Sequence, residues 1–411
     1  MNRVISYMAT YVFWYPFIMS LVWIAGSLVF SSKRATDKDL DIEGIDWPMI
    51  SILIPCYNEE STIEETVYHM NNIAYEKKEI ILVNDGSKDN TSEILHKIAK
   101  EYDNVKIIDC KENRGKASAL KLATFAAKSE YLVCVDSDAI LDSYAAHYLI
   151  AHFLHKGERL AAVTGNPRIR NRDTLLAKLQ IVEYASIIGA IKRSQRVWGK
   201  IMTVSGVVVA FRKKALVEVG LWDHDMITED ISISWKLQEK FWDIRYEPRA
   251  LCWMLVPETL IGIWKQRIRW AQGGQEVILR HWRVILDYKH RRIWPIYYEQ
   301  WASILWDISW VVVTAYFFIT AESVKQLIIW LTFSSFALVF MCLIQLLISL
   351  IIDSKYDKVM RYFIWGAWYP FIYWILNALI VIFAIPRAIK SRVKGGYATW
   401  TSPDRGNLKK S

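Results

Sequence analysis

Apolar and polar positions divide the chain into three kinds of stretch. Residues Tyr7 to Phe30 form an uncharged apolar run. At about 1.5 Å rise per residue it is long enough to cross about 30 Å of hydrocarbon. Arg3 stands alone before it, whereas Lys33, Arg34 and Lys38 follow. A signal peptide would put its positive charge ahead of the run. The pattern therefore predicts a retained membrane helix, with the N-terminus outside and the next segment in the cytosol.

Residues 31–295 carry charge throughout and alternate between two periodicities. Ile50 to Cys56 (ISILIPC) is a short unbroken apolar run, as expected of a strand buried on both faces. Ser61-Thr62-Ile63-Glu64 reads as a capping box opening a helix to about Ile73. Lys78 to Asp85 is a second strand, followed by turn residues Gly86 to Asn90 and a helix to about Tyr102. Val105 to Cys110 is a third strand, Lys116 to Lys128 a helix and Tyr131 to Val135 a fourth strand. Strands alternating with helices of this length predict βαβ units around a parallel sheet, with ligands at the carboxyl ends of the strands.

The chain then turns apolar again, with candidate spans near 298–320, 326–352 and 362–386. Asp307 lies in the first and is expected to face a partner or a wet cavity rather than lipid. Pro370 lies in the third, within an aromatic cluster. The predicted organisation is a transmembrane helix at 1–30, a cytosolic α/β domain with interfacial helices near its end at 31–295, a transmembrane region at 296–386 and a tail at 387–411. One span before the domain and three after it would leave the C-terminus outside. Yet the tail carries Arg387, Lys390, Arg392, Lys394, Arg405, Lys409 and Lys410, and such a tail prefers the cytosol. Either one late segment is re-entrant or interfacial, or the charge rule fails here; the basic tail favours the first.

Composition sharpens this picture. Of 411 residues, 53% are apolar and 23% charged, with 20 Trp and 21 Tyr; mean hydropathy is +0.14. This excludes disorder and fits a membrane or sugar-facing protein, since flat amphipathic rings suit both surfaces. The net charge is +9, and no nucleic-acid partner is expected. Five scattered cysteines without a C-x-x-C pair support neither a zinc ribbon nor a disulfide framework. His147, His152 and His155 lack clean metal-ligand spacing and read as helix residues.

The candidate chemistry sits at strand ends. The first strand ends in Tyr57-Asn58-Glu59, the second in Asn84-Asp85-Gly86, the fourth in Asp136-Ser137-Asp138. Turns and helix caps would account for any one of these; three together point at one crevice. Asp136-x-Asp138 supplies hard oxygen donors suited to Mg²⁺ or Mn²⁺ on a diphosphate. Thr228-Glu229-Asp230 precedes a helix and offers a carboxylate able to deprotonate an alcohol, although acidic first turns are also common. Gln266-Arg267-Ile268-Arg269-Trp270 lies on a basic, Trp-rich amphipathic segment suited to diphosphate, to a pyranose face or to the membrane interface. Cys110 stands where a Walker A loop ending at Lys116 needs glycine, and no G-x-G-x-x-G follows the first strand, so neither a P-loop nor a dinucleotide site is supported.

The order of these motifs, followed by apolar spans, resembles the processive inverting family-two glycosyltransferases, which include cellulose, chitin and hyaluronan synthases. Within that set the chain is most similar to the bacterial poly-beta-1,6-N-acetyl-D-glucosamine synthases of biofilm matrix. The matching stretches are 164–170 (TGNPRIR), 183–189 (EYASIIG), 225–231 (DMITEDI), 246–254 (YEPRALCWM), 264–274 (WKQRIRWAQGG) and 400–406 (WTSPDRG). The likeness runs from about Tyr11 to Leu408. It implies an α/β GT-A catalytic domain, Rossmann-like in its nucleotide-sugar site, joined to transmembrane helices. It further implies a multi-pass protein of the cell membrane with a cytoplasmic active site and UDP-N-acetylglucosamine as donor. Carried over, Asp85, Tyr57, Asn58, Glu59 and Lys116 serve the donor. Asp136 and Asp138 serve the nucleotide and its divalent cation, and Asp230 is the general base. Gln266, Arg269 and Trp270 bind diphosphate and acceptor, and Ser205 and Gly206 shape the acceptor pocket. The same resemblance implies a growing glycan exported through the membrane, attacked at its 6-hydroxyl, and a small membrane subunit completing the channel. Arg405 is expected to gate the site. A base role needs Asp230 ionised, so a strongly raised pKa would argue against it. The alternative is a related processive synthase of chitin or hyaluronan type.

Overall fold

The computed structural model describes residues 3–33, 42, 44–155, 157–394 and 396–398. Arg34, Lys38, the 400–406 stretch with Arg405, Lys409 and Lys410 lie outside them.

The four predicted strands form where their apolar runs stand: β1 (Ile50–Cys56), β2 (Lys78–Asp85), β3 (Val105–Cys110) and β4 (Tyr131–Val135). They pair in parallel in the order β3-β2-β1-β4. Helices α2 (Ile63–Asn71), α3 (Thr91–Glu101) and α4 (Lys116–Ala126) connect them. The period-2 geometry of a strand sends alternate residues to opposite faces. Ile50, Ile52, Ile54, Ile80 and Leu82 accordingly feed one core, and Leu53, Ile81, Val83 and Leu132 the other. That two-sided burial explains the unbroken apolar runs.

Beyond β4 the sheet is mixed rather than parallel. β5 (Ile140–Leu141), β6 (Leu160–Ile169), β7 (Val208–Arg212) and β8 (Asp243–Met254) extend it to the order β3-β2-β1-β4-β7-β6-β8-β5. β7 runs antiparallel to both β4 and β6. Between these strands lie α5 (Ala145–His155), α6 (Leu175–Glu183), α7 (Gly189–Trp198), α8 (Lys213–Glu218) and α9 (Glu229–Glu239), with a π-turn at Tyr184–Ile188 joining α6 to α7. The histidines of α5 are structural: His152 pairs with Glu247 at 2.8 Å, and His147 packs against Trp47 and Tyr75. The capping box does not form. The Thr62 hydroxyl donates to Glu59 Oε2 at 2.8 Å rather than capping α2.

Among the described residues, four helices are long and apolar enough to cross a membrane. They fall in α1 (Arg3–Lys33), α11 (Trp294–Thr320), α12 (Val324–Asp353) and α14 (Tyr369–Lys394). The last predicted stretch is interrupted: α13 (Phe363–Gly366) precedes α14, and Pro370 sits in the first turn of α14, where its missing N–H costs no helical bond. Tyr11 and Trp306 tie α1 to α11 through bonds to Ala302 and Val12 carbonyls at 2.7 and 2.9 Å. Asp307 is buried in this contact, near Tyr11. α1 also lies directly on α7, where a Cβ on Gly26 would overlap Ser194.

The far end of α12 is locked into the sheet domain. Asp353 is fully buried and pairs with Arg168 of β6 at 2.8 Å and with Arg193 of α7. Asp357 takes Arg172 in a two-point pair at 2.6 and 3.1 Å. Helix α10 (Leu260–Arg280) packs along α14. Gln275 donates to the Val381 carbonyl, midway along α14, at 2.9 Å, while Arg267 lies near Tyr369 and Tyr373 at the start of α14. Removing one partner of a buried pair strands the rest without compensation. Asp353→Ala is expected to destabilise the protein by about 3–5 kcal/mol, read as a lowered unfolding midpoint of the purified chain in detergent. An unchanged midpoint would contradict this anchoring role.

Candidate active site

β4, α4, α9 and α10 bring their ends to one cavity of about 490 Å³. Asp136 and Asp138 enter it from the end of β4, Lys116 from the first residue of α4, and Glu229 and Asp230 from the first turn of α9. Gln266, Arg269 and Trp270 enter from α10, and Ser205 and Gly206 from the loop before β7. These predicted site residues share one cavity although they lie far apart in the chain.

Lys116 is its electrostatic centre. The ammonium pairs with Asp136 at 2.6 Å and Glu229 at 3.0 Å, and donates to the Gly206 carbonyl at 3.4 Å. Burial works against the charged ammonium, but Asp136 and Glu229 outweigh it and hold its pKa above the usual value. Glu229 is pulled below the ordinary carboxylate range because Lys116 outweighs its burial. Burial raises Asp136, and the neighbouring charge of Asp138 adds to the effect. Two such carboxylates fit a divalent cation, which would relieve their mutual repulsion. No group of three or more His, Cys, Asp or Glu able to hold a metal occurs among the described residues.

Asp230 accepts from the Gly206 N–H at 3.3 Å and from Ile231 N–H at 2.9 Å. Burial and then the adjacent Glu229 charge push its carboxyl up to about 6, with Lys116 opposing. It is thus raised, yet ionised for the most part at neutral pH. Two glycines make room for this arrangement. A Cβ on Gly206 would stand 3.2 Å from both Asp230 Oδ2 and Lys116 Nζ. One on Gly273 would overlap the Thr228 hydroxyl, so α10 approaches the start of α9 only without a side chain there.

Tyr57, Asn58, Glu59 and Asp85 do not line this cavity. Asp85 accepts from the Arg114 and Gly115 N–H groups at 3.0 and 2.8 Å, which places it against the turn into α4. Asn58 accepts from Lys88 N–H at 2.9 Å and donates its own N–H to Ser87 at 3.0 Å; Glu59 N–H donates to Thr91 at 2.7 Å. These bonds knit the loops after β1 and β2 together.

Glu229, Arg267, Glu183 and Arg387 stand in stretches noted in the sequence but were given no site role there, and Lys192 was not noted. Arg267 is buried, pairs with Glu183 at 2.5 Å, and lies 4.0 Å from the Trp270 ring centre, fixing that indole against the cavity. Glu183 and Lys192 lie in a largely apolar stretch, 175–197, that also carries Lys178, Arg193 and Arg196. Arg387, on the last turns of α14, also lines the cavity. Beside it, Ala398 N–H donates to the His224 carbonyl at 2.8 Å, and Tyr397 packs on His224 and under Arg114.

Residues 51–220 match the family described as Glycosyl transferase family 2. A poly-beta-1,6-N-acetyl-D-glucosamine synthase of Staphylococcus epidermidis is 46% identical over 410 residues, spanning 97% of this chain and 99% of that protein. The protein of the same name from Staphylococcus aureus is 48% identical over 413 residues, with the same coverage. Among solved structures, a mannosyltransferase from Pyrobaculum calidifontis, in complex with GDP-Man and Mn²⁺, superposes with a TM-score of 0.65 at 19% identity, covering 90% of this chain and 99% of that one. This last likeness is one of fold.

Proposed function

Because the chain belongs to the poly-beta-1,6-N-acetyl-D-glucosamine synthases of glycosyl transferase family 2, we propose that its cavity transfers N-acetylglucosamine from UDP-N-acetylglucosamine to the 6-hydroxyl of a growing glycan. The observation that carries this reading is the convergence of Asp136, Asp138, Asp230, Arg269 and Trp270 on one cavity. Asp230 takes the proton from the attacking hydroxyl. The oxygen attacks the anomeric carbon from the face opposite UDP, the bond to the diphosphate breaks, and α becomes β in one displacement. The Gly206 N–H and Lys116 hold Asp230 and its neighbours in place before reaction, so the residues need little reorganisation as charge moves. Arg269 meets the departing diphosphate, and Trp270, braced by Arg267, gives the terminal sugar a flat face. Asp136 and Asp138 would hold a divalent cation. That cation, Mg²⁺ or Mn²⁺, would offset charge on the leaving diphosphate. Asp85, Tyr57, Asn58 and Glu59 form the donor end, behind the turn into α4.

The membrane helices carry the product away. Sugar hydroxyls crossing hydrocarbon need polar partners, and α1, α11 and α12 are few for a lined passage. A small membrane protein completes it. Both ends of α14 contact the catalytic domain, and Arg387 reaches the cavity. That supports a cytosolic tail, with α14 lying beside α10 rather than crossing fully. Proteoliposomes of purified chain with outward-facing active sites test both points. Polymer is expected outside with none accumulating in the lumen, and a C-terminal tag is expected to be open to external protease. Full-length polymer delivered to the lumen would sink the accessory subunit, and a protected tag would sink the topology.

Asp230→Asn is expected to abolish polymer while leaving UDP binding within about twofold, since the amide keeps the shape and loses the base. Linkage analysis of the parent product is expected to give β-1,6 bonds; β-1,4 bonds, or incorporation of glucuronate, would move the chain to the chitin or hyaluronan type. The same substitution is expected to hold or raise the unfolding midpoint above pH 6. There the parent must carry a buried carboxylate whose pKa of about 6 lies above its ordinary 3.8; a raised carboxyl pKa stabilises the folded state at low pH and loses that contribution as pH rises. For catalysis the sign is opposite. Rate under limiting substrate is expected to fall about tenfold per pH unit below 6 and to level off above it; a rate that rises on acidification would remove Asp230 as base.

A further inference from the structure

Among the charged side chains that line the cavity, Lys192 and Lys265 have no place in the scheme above, and Lys192 is the buried one. Lys192 of α7 is only 6% exposed. Among the described residues no hydrogen bond or ion pair engages it. Burial lowers its ammonium to about 8, and Asp230 is the carboxylate whose charge opposes this. A buried ammonium left unpaired is costly, so its retention in a ligand cavity points to a partner that arrives with the ligand.

Its position separates it from the donor end. Lys116 is already satisfied by Asp136 and Glu229 beside the proposed diphosphate site, whereas Lys192 faces Asp230. Tyr184, Ile188 and Lys192 recur every fourth residue along the π-turn and α7, and all three line the cavity. The row starts beside Trp270, whose ring centre is 6.3 Å from that of Tyr184. Two residues further along α7, Ser194 packs on Gly26 of α1 and its hydroxyl donates to the Val22 carbonyl at 3.2 Å. α7 thus turns one side to the catalytic cavity and another to a membrane helix.

We propose that Lys192 belongs to the acceptor site, where its ammonium donates hydrogen bonds to the terminal sugar of the growing glycan and holds the attacking hydroxyl against Asp230. The ligand class is a neutral N-acetylated amino-sugar chain, whose hydroxyl and amide oxygens satisfy a cation without bringing a counter-charge. The inference rests on the polymerase reading above.

The full-length chain in detergent, given UDP-N-acetylglucosamine and a short β-1,6-linked N-acetylglucosamine oligosaccharide, tests it. Lys192→Met and Lys192→Gln are expected to raise the KM for the oligosaccharide about tenfold or more, while the KM for UDP-N-acetylglucosamine and its slow hydrolysis stay within about twofold. Lys192→Arg is expected to recover part of the acceptor affinity. A raised donor KM with unchanged acceptor KM would make Lys192 a diphosphate ligand, and unchanged constants would make it idle; either overturns the proposal. Should the Met variant fail to bind UDP, the Gln variant, which keeps a polar head, decides. A parent chain that transfers no sugar to the oligosaccharide would overturn the polymerase reading itself, a result distinct from any change at Lys192.

Discussion

Charge balance in a cavity sheltered from water governs this molecule. Asp136, Glu229 and Asp230 converge around one ammonium, that of Lys116. In a medium of low effective dielectric, like charges this close resist ionising together unless a cation lies among them. The sheet order makes the grouping possible: β4 stands at the junction between the parallel half and the antiparallel β7, so its end faces both α4 and the start of α9. Gly206 and Gly273 then let backbone come where a side chain would push the carboxylates apart.

The same logic joins chemistry to the bilayer. The core beneath the sheet does not stop at the domain's edge. It continues through Tyr184 to Cys342, Leu346 and Leu350 of α12 and to Tyr369 and Tyr373 of α14. Helix α10 contributes Trp270 to the cavity and its opposite flank to α14. A chain built this way cannot move its membrane helices independently of the residues that line the cavity, which suits an enzyme that must advance a polymer after each addition.

Much of this was legible in the residues. The first four strands were readable because parallel strands buried on both faces demand unbroken apolar runs, and Ile50 to Cys56 and Lys78 to Asp85 have them. β5 to β8 were not, because β6 and β8 mix charge with apolar residues and pair with distant segments through irregular register. Asp136, Asp138, Asp230 and Trp270 stood out as motifs and do share a cavity. Lys192 did not, and the pairing of Arg267 with Glu183 was not readable, since which face a helical residue presents depends on packing that no local pattern states. Thr62 misled for a similar reason: its sequence neighbours suit a cap, but buried Glu59 offered its hydroxyl a stronger acceptor.

The buried grip on Asp353 also bears on how such a chain is made. Arg168 and Arg193 leave the ribosome well before Asp353, which lies 185 and 160 positions later. Until α12 is inserted, the nascent catalytic unit holds two guanidinium groups aimed at an absent carboxylate. Insertion of α12 is therefore coupled to completion of the catalytic unit: a chain cut short before Asp353 keeps two buried guanidinium groups without the carboxylate that neutralises them.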